Sequence, residues 1–319
     1  MTDPALAPSD LDAHELRVVR AIGDQGSITA AAASVGYSQP AISQMLRRLE
    51  QRIGLPVVER IGRGVRLTEA GHILARHAPA VTTALDAAAG ELSELRGLRT
   101  GRVRLVGFPS ASPTVVPRVI ADLGARHPGV TLTYVEAEPA DAIAAVREHR
   151  ADIALTFSYP GHRDDPHRTA AHGLTVRDVG VDDLVAVLPS GHSAAAADRL
   201  DVADLADEPW IAGCPQCRGH LLEVCERAGF APRIAFETDN VVAVESLVAQ
   251  GIGVATLPQL ATASFPQVPG VVFVPLPAEQ RRTLHVVTAR GADGVPAVGV
   301  ALRAIDRVLA HPDLAAARN

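Results

Sequence analysis

The sequence predicts an α/β protein in three parts: an N-terminal winged helix-turn-helix over residues 1–67, a long helix over 68–97, and an α/β domain over 101–319. Three observations predict this division. Two short helical periods meet at a glycine and are followed by a basic hairpin. A heptad seam then runs for 29 residues, Thr68 to Arg96. Beyond Gly101, short β-branched runs alternate with helical stretches. A chain of 319 residues exceeds one ordinary domain, and its 47% hydrophobic content provides for more than one core.

In the first part, Leu11, Leu16, Val19 and Ile22 mark an amphipathic helix closed by Gly23. Ser27 is the N-cap of a second helix, Ile28 to Val35, and Gly36 breaks the chain after it. Ser38-Gln39-Pro40 opens a third, with Ser38 as cap and Pro40 in the first turn, where its missing N–H costs nothing. Ile42, Leu46, Leu49 and Ile53 form its buried stripe. Small Ala32 lies four residues before Gly36, and Ile42 and Met45 lie six and nine after it. That spacing lets two short helices cross closely and share a core, as a helix-turn-helix requires.

The opposite face of the third helix carries Gln39, Ser43, Gln44 and Arg47, residue types that read base edges and clamp phosphates. Val57-Val58 and Val65–Leu67 predict a hairpin, with Arg60, Arg63 and Arg66 on or beside its Gly62-Arg63-Gly64 tip. Such a tip suits a wing that tracks the minor groove or the backbone. Charge agrees. Residues 38–67 carry six arginines against two acids, whereas 101–319 carry 19 against 25, within a chain of net charge −6. One basic island on an acidic body implies that one end meets a polyanion, here double-stranded DNA.

In the long helix, Leu74, Ala78, Val81, Leu85, Ala88, Leu92 and Leu95 fall on alternating four- and three-residue steps. A helix of that length, roughly 43 Å at about 1.5 Å per residue, cannot bury the stripe alone. A partner helix from a second chain is expected, and a homodimer suits a two-fold-symmetric DNA site. Pro79 is expected to kink or break one turn.

Beyond Gly101 the candidate strands are Val103–Val106, Thr131–Glu136, Ile153–Phe157, Leu184–Leu188, Trp210–Ala212, Ile234–Glu237, Gly253–Leu257, Val271–Val274 and Thr283–Thr288. Helices between many of them imply mostly parallel sheets. Ligands in such folds bind beyond the carboxyl ends of strands. Ser110 and Ser112, Thr156 and Ser158, and Asn240 stand at such ends and are candidates for a small anionic effector. N-capping alone also accounts for Ser112 and Asn240.

Cys214-Pro215-Gln216-Cys217, with His220 and Cys225, places four soft ligands within twelve residues. Cys214 and Cys217 follow a strand at a helix N-terminus, where thiol pKa values fall. They line a pocket or serve as a thiol-redox or metal-responsive sensor. The short spacings argue against zinc, Cys225 reads as a core residue, and no metal site or cofactor is assigned. His162, His167 and His172 lie in a polar loop and read as solvated. No GxSxG, HExxH, phosphate-binding glycine loop or dinucleotide fingerprint occurs, so an enzyme is not expected. Neither a signal peptide nor a membrane-length apolar run is present, and a cytoplasmic address is expected.

The runs Gly26-Ser27-Ile28-Thr29-Ala30-Ala31-Ala32, Ser38-Gln39-Pro40-Ala41-Ile42-Ser43, Arg48-Leu49-Glu50 and Arg66-Leu67-Thr68-Glu69-Ala70-Gly71 closely resemble the LysR-type transcriptional regulators. The resemblance implies that Gln39, Pro40, Ser43 and Gln44 face the major groove and Arg63 the wing. The DNA-facing set is therefore Thr29, Ser38, Gln39, Pro40, Ser43, Gln44, Arg47 and Arg63. Gln44 departs from the arginine often found there, which weakens its phosphate-contact reading. The resemblance also implies a periplasmic-binding-protein-like C-terminal domain of two subdomains, 101–177 with 280–319 and 178–279, crossing near Thr175–Val181 and Leu276–Thr283. A small effector would bind between them, near Ser110, Ser112, Thr156, Ser158, Cys214 and Asn240. A homotetramer and RNA polymerase follow as further expected partners.

Overall fold

The computed structural model describes residues 7–62, 64–95, 101–163, 165–169, 171, 173–263 and 266–311. Arg63, His172, residues 96–97 of the expected linker and the side chain of Leu95 lie outside the described residues. The chain divides into two compact units, Met1–Leu92 and Ser93–Asn319.

In the first unit, α1 (Ala13–Gln25), α2 (Ile28–Val35) and α3 (Gln39–Ile53) begin at Asp12, Ser27 and Ser38, whose side chains accept backbone N–H groups of the first turn. The first helix runs beyond Gly23 and ends at Gly26. Gly23 instead serves close packing: a Cβ there would lie 2.7 Å from Leu67 Cδ1. Ile42, Leu46 and Leu49 are buried against Leu16, Val19, Ile22 and the small Ala31 and Ala32, while Ile53 is only half-buried.

The wing strands β1 (Val58–Ile61) and β2 (Gly64–Leu67) pair antiparallel, Val58 opposite Leu67. Glu50 at the end of α3 anchors them, its Oε1 accepting the N–H groups of Val57 (2.8 Å) and Val58 (3.3 Å). Helix α4 (Glu69–Leu95) then leaves from Thr68, whose hydroxyl donates to the Pro56 carbonyl and accepts the Gly71 N–H. Gly71 is needed because a Cβ there would meet the Val57 carbonyl oxygen at 2.2 Å.

Helix α4 continues through Pro79, so the expected break does not occur; the proline removes one ladder donor without ending the helix. Its seam is divided. Leu74 and Ala78 enter this unit's own core, whereas Val81, Leu85 and Leu92 are 37%, 55% and 62% exposed. Three apolar knobs in water along one stripe still call for a partner.

The second unit contains two sheets. The first is built from β3 (Gly101–Gly107), β4 (Val130–Glu136), β5 (Ile153–Ser158) and β6 (Leu174–Asp182), with α5 (Val115–Arg126), α6 (Pro139–Arg147) and the short α7 (Pro166–Thr169) between them. The second takes β7 (Leu184–Pro189), β8 (Pro209–Ala212), β9 (Arg233–Glu237), β10 (Val254–Pro258) and β11 (Val271–Pro275), with α8 (Pro215–Arg227), α9 (Val241–Ala249) and α10 (Gln259–Thr262). The chain then returns to the first sheet as β12 (Arg282–Ala289) and ends in α11 (Pro296–Leu309). The strand orders are β4-β3-β5-β12-β6 and β11-β7-β10-β8-β9. In each, three neighbouring strands run parallel and the strands entered from the crossings run antiparallel to them.

The first crossing differs from expectation. Residues 175–181 are strand, paired along β12, and the chain passes between sheets only at Asp182–Leu184. Strand β6 is an exposed edge strand with acids and Gly180 inside it, so it lacks the apolar run by which its neighbours were legible.

Where the two crossings lie side by side, Asp182 and Arg282 face each other across β6 and β12. Both are about 2% exposed, and Arg282 donates to Asp182 Oδ2 from Nε (2.9 Å) and NH2 (2.7 Å). The other carboxylate oxygen accepts the Leu260 N–H at 3.0 Å. Removing one member of a buried pair strands the other charge. Asp182→Ala is therefore expected to destabilise this unit by about 3–5 kcal/mol, read as a lower unfolding midpoint in urea; an unchanged midpoint would refute the clasp.

Candidate functional site

The recognition helix α3 presents Gln39, Pro40, Gln44 and Arg47 to solvent, with Ser43 half-buried beneath them. Gln39 Nε2 donates to Ser43 Oγ at 3.0 Å, and Arg47 Nε donates to the Ser43 carbonyl at 3.2 Å. Ser43 thus braces both long side chains on one face. Thr29 is exposed on α2, while Ser38 is exposed but engaged as cap, accepting the Ala41 N–H. On the wing, Arg66 pairs with Glu59 and Arg60 is exposed.

The second unit holds a small cavity of about 60 Å³ beside the Arg282–Asp182 clasp. Its walls include Phe108, Ser110, Phe157, Tyr159, Cys214, Cys217, His220 and Arg282. Ser110 is turned to Arg282, accepting from NH2 at 2.6 Å. The guanidinium lies over the rings of Phe157 (4.4 Å) and Phe108 (4.8 Å), which meet edge to face.

Cys214 caps α8: its Sγ accepts the Cys217 N–H at 3.4 Å and lies 2.7 Å from Cys217 Sγ. Tyr159 donates its hydroxyl to Cys217 Sγ at 3.6 Å. The hydrogen bond from the Cys214 thiol, with the Arg282 charge and the Tyr159 hydroxyl, holds Cys217 below the usual thiol range despite its burial. The same hydrogen bond, and burial, push Cys214 well up. One proton therefore serves two sulfurs, and Cys217 is the more acidic of the two thiols. Cys225 is buried and faces the core, its thiol raised by desolvation to about 11.

A second, larger hollow of about 510 Å³ lies against Ser110, Ser112, Glu136, Asp239 and Asn240. Ser112 Oγ donates to Glu136 Oε2 (2.6 Å) and pairs with the Tyr134 hydroxyl (2.8 Å). Asn240 caps α9, accepting the Ala243 N–H at 3.1 Å. Four sequence candidates are therefore divided: Ser110 and Cys214 line the small cavity, and Ser112 and Asn240 line the larger hollow with Ser110.

Thr156 and Ser158 are corrections: they line neither space. Alternation along β5 sends Phe157 to the cavity and its two neighbours to the opposite face. There Thr156 bonds His167 Nε2 at 2.8 Å and Ser158 bonds His285 Nε2 at 2.7 Å. His167 and His285 in turn contact Asp165 and Asp178 through Nδ1. His167 is thus half-buried and bonded on both ring nitrogens, not solvated. The sequence reading missed Arg282 and Tyr159 altogether, because each becomes part of a wall only when β12 and β5 meet α8. His220 stood among the soft ligands, but as a possible metal donor. Among the described residues no group of three metal-type donors occurs, and no helix is long and apolar enough to cross a membrane.

The profile of the LysR substrate binding domain matches residues 96–310, and that of the bacterial regulatory helix-turn-helix protein, lysR family, matches 13–72. This chain belongs to the LysR family. It is a LysR-type DNA-binding transcriptional regulator, and its C-terminal part is the effector-binding domain. A "probable hydrogen peroxide-inducible genes activator" of Mycobacterium avium is 34% identical over 256 residues, covering 77% of each chain. The probable regulator LrrA of Synechococcus elongatus is 28% identical, covering 89% of this chain and 92% of its own. In fold, the chain is similar to a full-length OxyR variant from Pseudomonas aeruginosa (TM-score 0.70, 21% identity, 92% and 97% covered). It is also similar to full-length CbnR complexed with its target DNA (TM-score 0.54, 18% identity, 94% and 100% covered).

In this LysR-type regulator, Gln39→Ala and Arg47→Ala should each weaken specific DNA binding by about 1–3 kcal/mol, roughly 5- to 150-fold, with unfolding unchanged. Fluorescence anisotropy on DNA selected by the wild-type protein measures this; wild-type affinity in both variants refutes the assignment. At pH 7, iodoacetamide should modify Cys217 ahead of Cys214 and Cys225, because only its pKa is lowered. Peptide mass spectrometry reads the order, and Cys214 reacting first would refute it.

Proposed function

We propose that this LysR-type regulator responds to small peroxide oxidants through Cys214 and Cys217. The observation that carries the reading is the pair of sulfurs 2.7 Å apart on the wall of a cavity of about 60 Å³. That volume admits a molecule of a few heavy atoms. The name of the Mycobacterium avium relative supports the same chemistry.

The Cys217 thiolate attacks one peroxide oxygen, an S–O bond forms, and the O–O bond breaks. The distal oxygen leaves as hydroxide and takes a proton from solvent. Peroxide is reduced by two electrons and Cys217 becomes a sulfenic acid. The Cys214 sulfur then attacks Cys217, expelling water and closing a disulfide. Oxidation changes contacts at the crossings and thereby the relative stability of two arrangements of the effector-binding domain. A homodimer joined along the exposed α4 seam, or a tetramer of two such dimers, would pass that bias to paired recognition helices and to RNA polymerase.

The larger hollow beside Ser112 and Asn240 favours a second reading, a small-metabolite effector. Its Glu136 and Asp239 carboxylates disfavour an anion. One experiment separates the two. Genome-fragment pull-down with reduced protein, then with protein treated with hydrogen peroxide, should recover different or differently enriched operators. Cys217→Ser should bind identically with and without the oxidant. A wild-type response that survives in Cys217→Ser, or that requires an added metabolite while the thiols stay reduced, overturns the peroxide reading.

A further inference from the structure

His220 is 4% exposed, yet neither ring nitrogen is in hydrogen-bonding geometry with any described residue. The Gln280 backbone approaches the ring without completing a bond. Buried polar groups in folded proteins are nearly always paired, and one left unpaired on a cavity wall calls for a ligand. His220 forms part of the same wall as Cys214 and Cys217. It sits three residues beyond Cys217 on α8, one turn along the same side of the helix. Its ring is held by stacking on Tyr159, centroids 3.9 Å apart and planes within 5°, and that same Tyr159 donates its hydroxyl to Cys217. Orientation is therefore set by an apolar contact, leaving both nitrogens uncommitted.

The protonation state follows from the surroundings. Burial first, then the nearby Arg227 and His162, push the imidazole down to about 4. At neutral pH the ring is uncharged, with one N–H donor and one bare nitrogen acceptor. A hydroperoxide has the complementary set: an O–H to give and oxygen lone pairs to receive.

We propose that His220 is the peroxide-binding residue of the thiol site, hydrogen-bonding the distal oxygen that departs when Cys217 attacks the proximal one. This rests on the peroxide reading above and goes beyond it by assigning a residue that acts on the oxidant and not on the sulfur. Hydroxide character develops on the distal oxygen as the O–O bond breaks, and an N–H already oriented on the cavity wall stabilises it without reorganisation. The proton that completes water comes from solvent, so the imidazole ends the step as it began. Of the other wall residues, Phe108, Phe157 and Leu184 offer the oxidant no such partner, while Ser110 and Arg282 are engaged with each other.

Two reactions of the reduced full-length protein separate this role from a structural one: oxidation of Cys217 by hydrogen peroxide, and its alkylation by iodoacetamide. Both depend on the thiolate, but only the first has an oxygen leaving group. His220→Phe keeps the stack on Tyr159 and removes both nitrogens. It should slow peroxide oxidation about 100-fold while the alkylation rate stays within about two-fold of wild type. His220→Gln, which retains a donor and an acceptor, should recover part of the loss. If the Phe variant melts below wild type, His220→Met of similar bulk takes its place. Wild-type peroxide kinetics in the apolar variant overturn the assignment. Equal slowing of both reactions also overturns it, since His220 would then act on the thiol or the fold. A wild-type protein that alkylates normally but does not react with peroxide refutes the peroxide reading itself, and this assignment with it.

Discussion

Arg282 keeps a full charge in a place where water scarcely reaches, and the second unit is arranged around keeping it there. Asp182 neutralises it, Ser110 accepts from the same NH2 that reaches Asp182, and the faces of Phe108 and Phe157 enclose it. A lone guanidinium buried so deeply would be prohibitive, so each of these contacts is a requirement. The consequences spread outward. The ion pair sits where the two crossings run side by side and clasps them, while Asp182 also holds the start of α10 through the Leu260 N–H. The same positive charge reaches Cys217 and helps hold it toward the thiolate. One interaction thus sets the junction between the sheets and adds to the acidity of Cys217.

The thiol pair illustrates how proximity alone divides two identical groups. Cys214 and Cys217 belong to one turn of α8, and capping brings the first sulfur over the N–H of the second. Sharing a proton across 2.7 Å raises one pKa and lowers the other. Cys225 lies on the same helix two turns further along and takes no part, because its face is turned to the core. The first unit is governed by different constraints. There Glu50, Thr68, Gly23 and Gly71 fix the wing and the start of α4 against the three-helix core, so a rigid scaffold presents the Gln39–Arg47 face.

Much of the DNA-reading end was legible in the residues. Helix caps, glycine breaks and apolar periods are local, and DNA contact needs only the right side chains on the face opposite the core. Ser27, Ser38, Ile42, Leu46 and Leu49 therefore stand where their spacing placed them. Gly23 was misread as a stop because packing and termination both favour glycine. The seam on α4 was legible as a period but not as a division, since only the fold shows that Leu74 and Ala78 are consumed by their own chain.

By itself the sequence determined the order of the parts, the winged reader, the strand-helix alternation and the cysteine pair, all of which follow from patterns spanning fewer than about 30 residues. Tertiary structure alone decided the candidate site of the second unit. Thr156 and Ser158 stand at a strand's carboxyl end as expected, yet alternation about Phe157 turns them away from the cavity. Arg282, Tyr159 and His220 come from a returning strand, the end of another and a helix, separated by up to 123 positions in the chain (159 to 282). Nothing in their local sequence marks Arg282 or Tyr159, and His220 drew notice only as a soft ligand near two cysteines. A cavity wall is a property of surfaces brought together by folding, and the burial that shifts a pKa or leaves an imidazole unpaired exists only after that assembly.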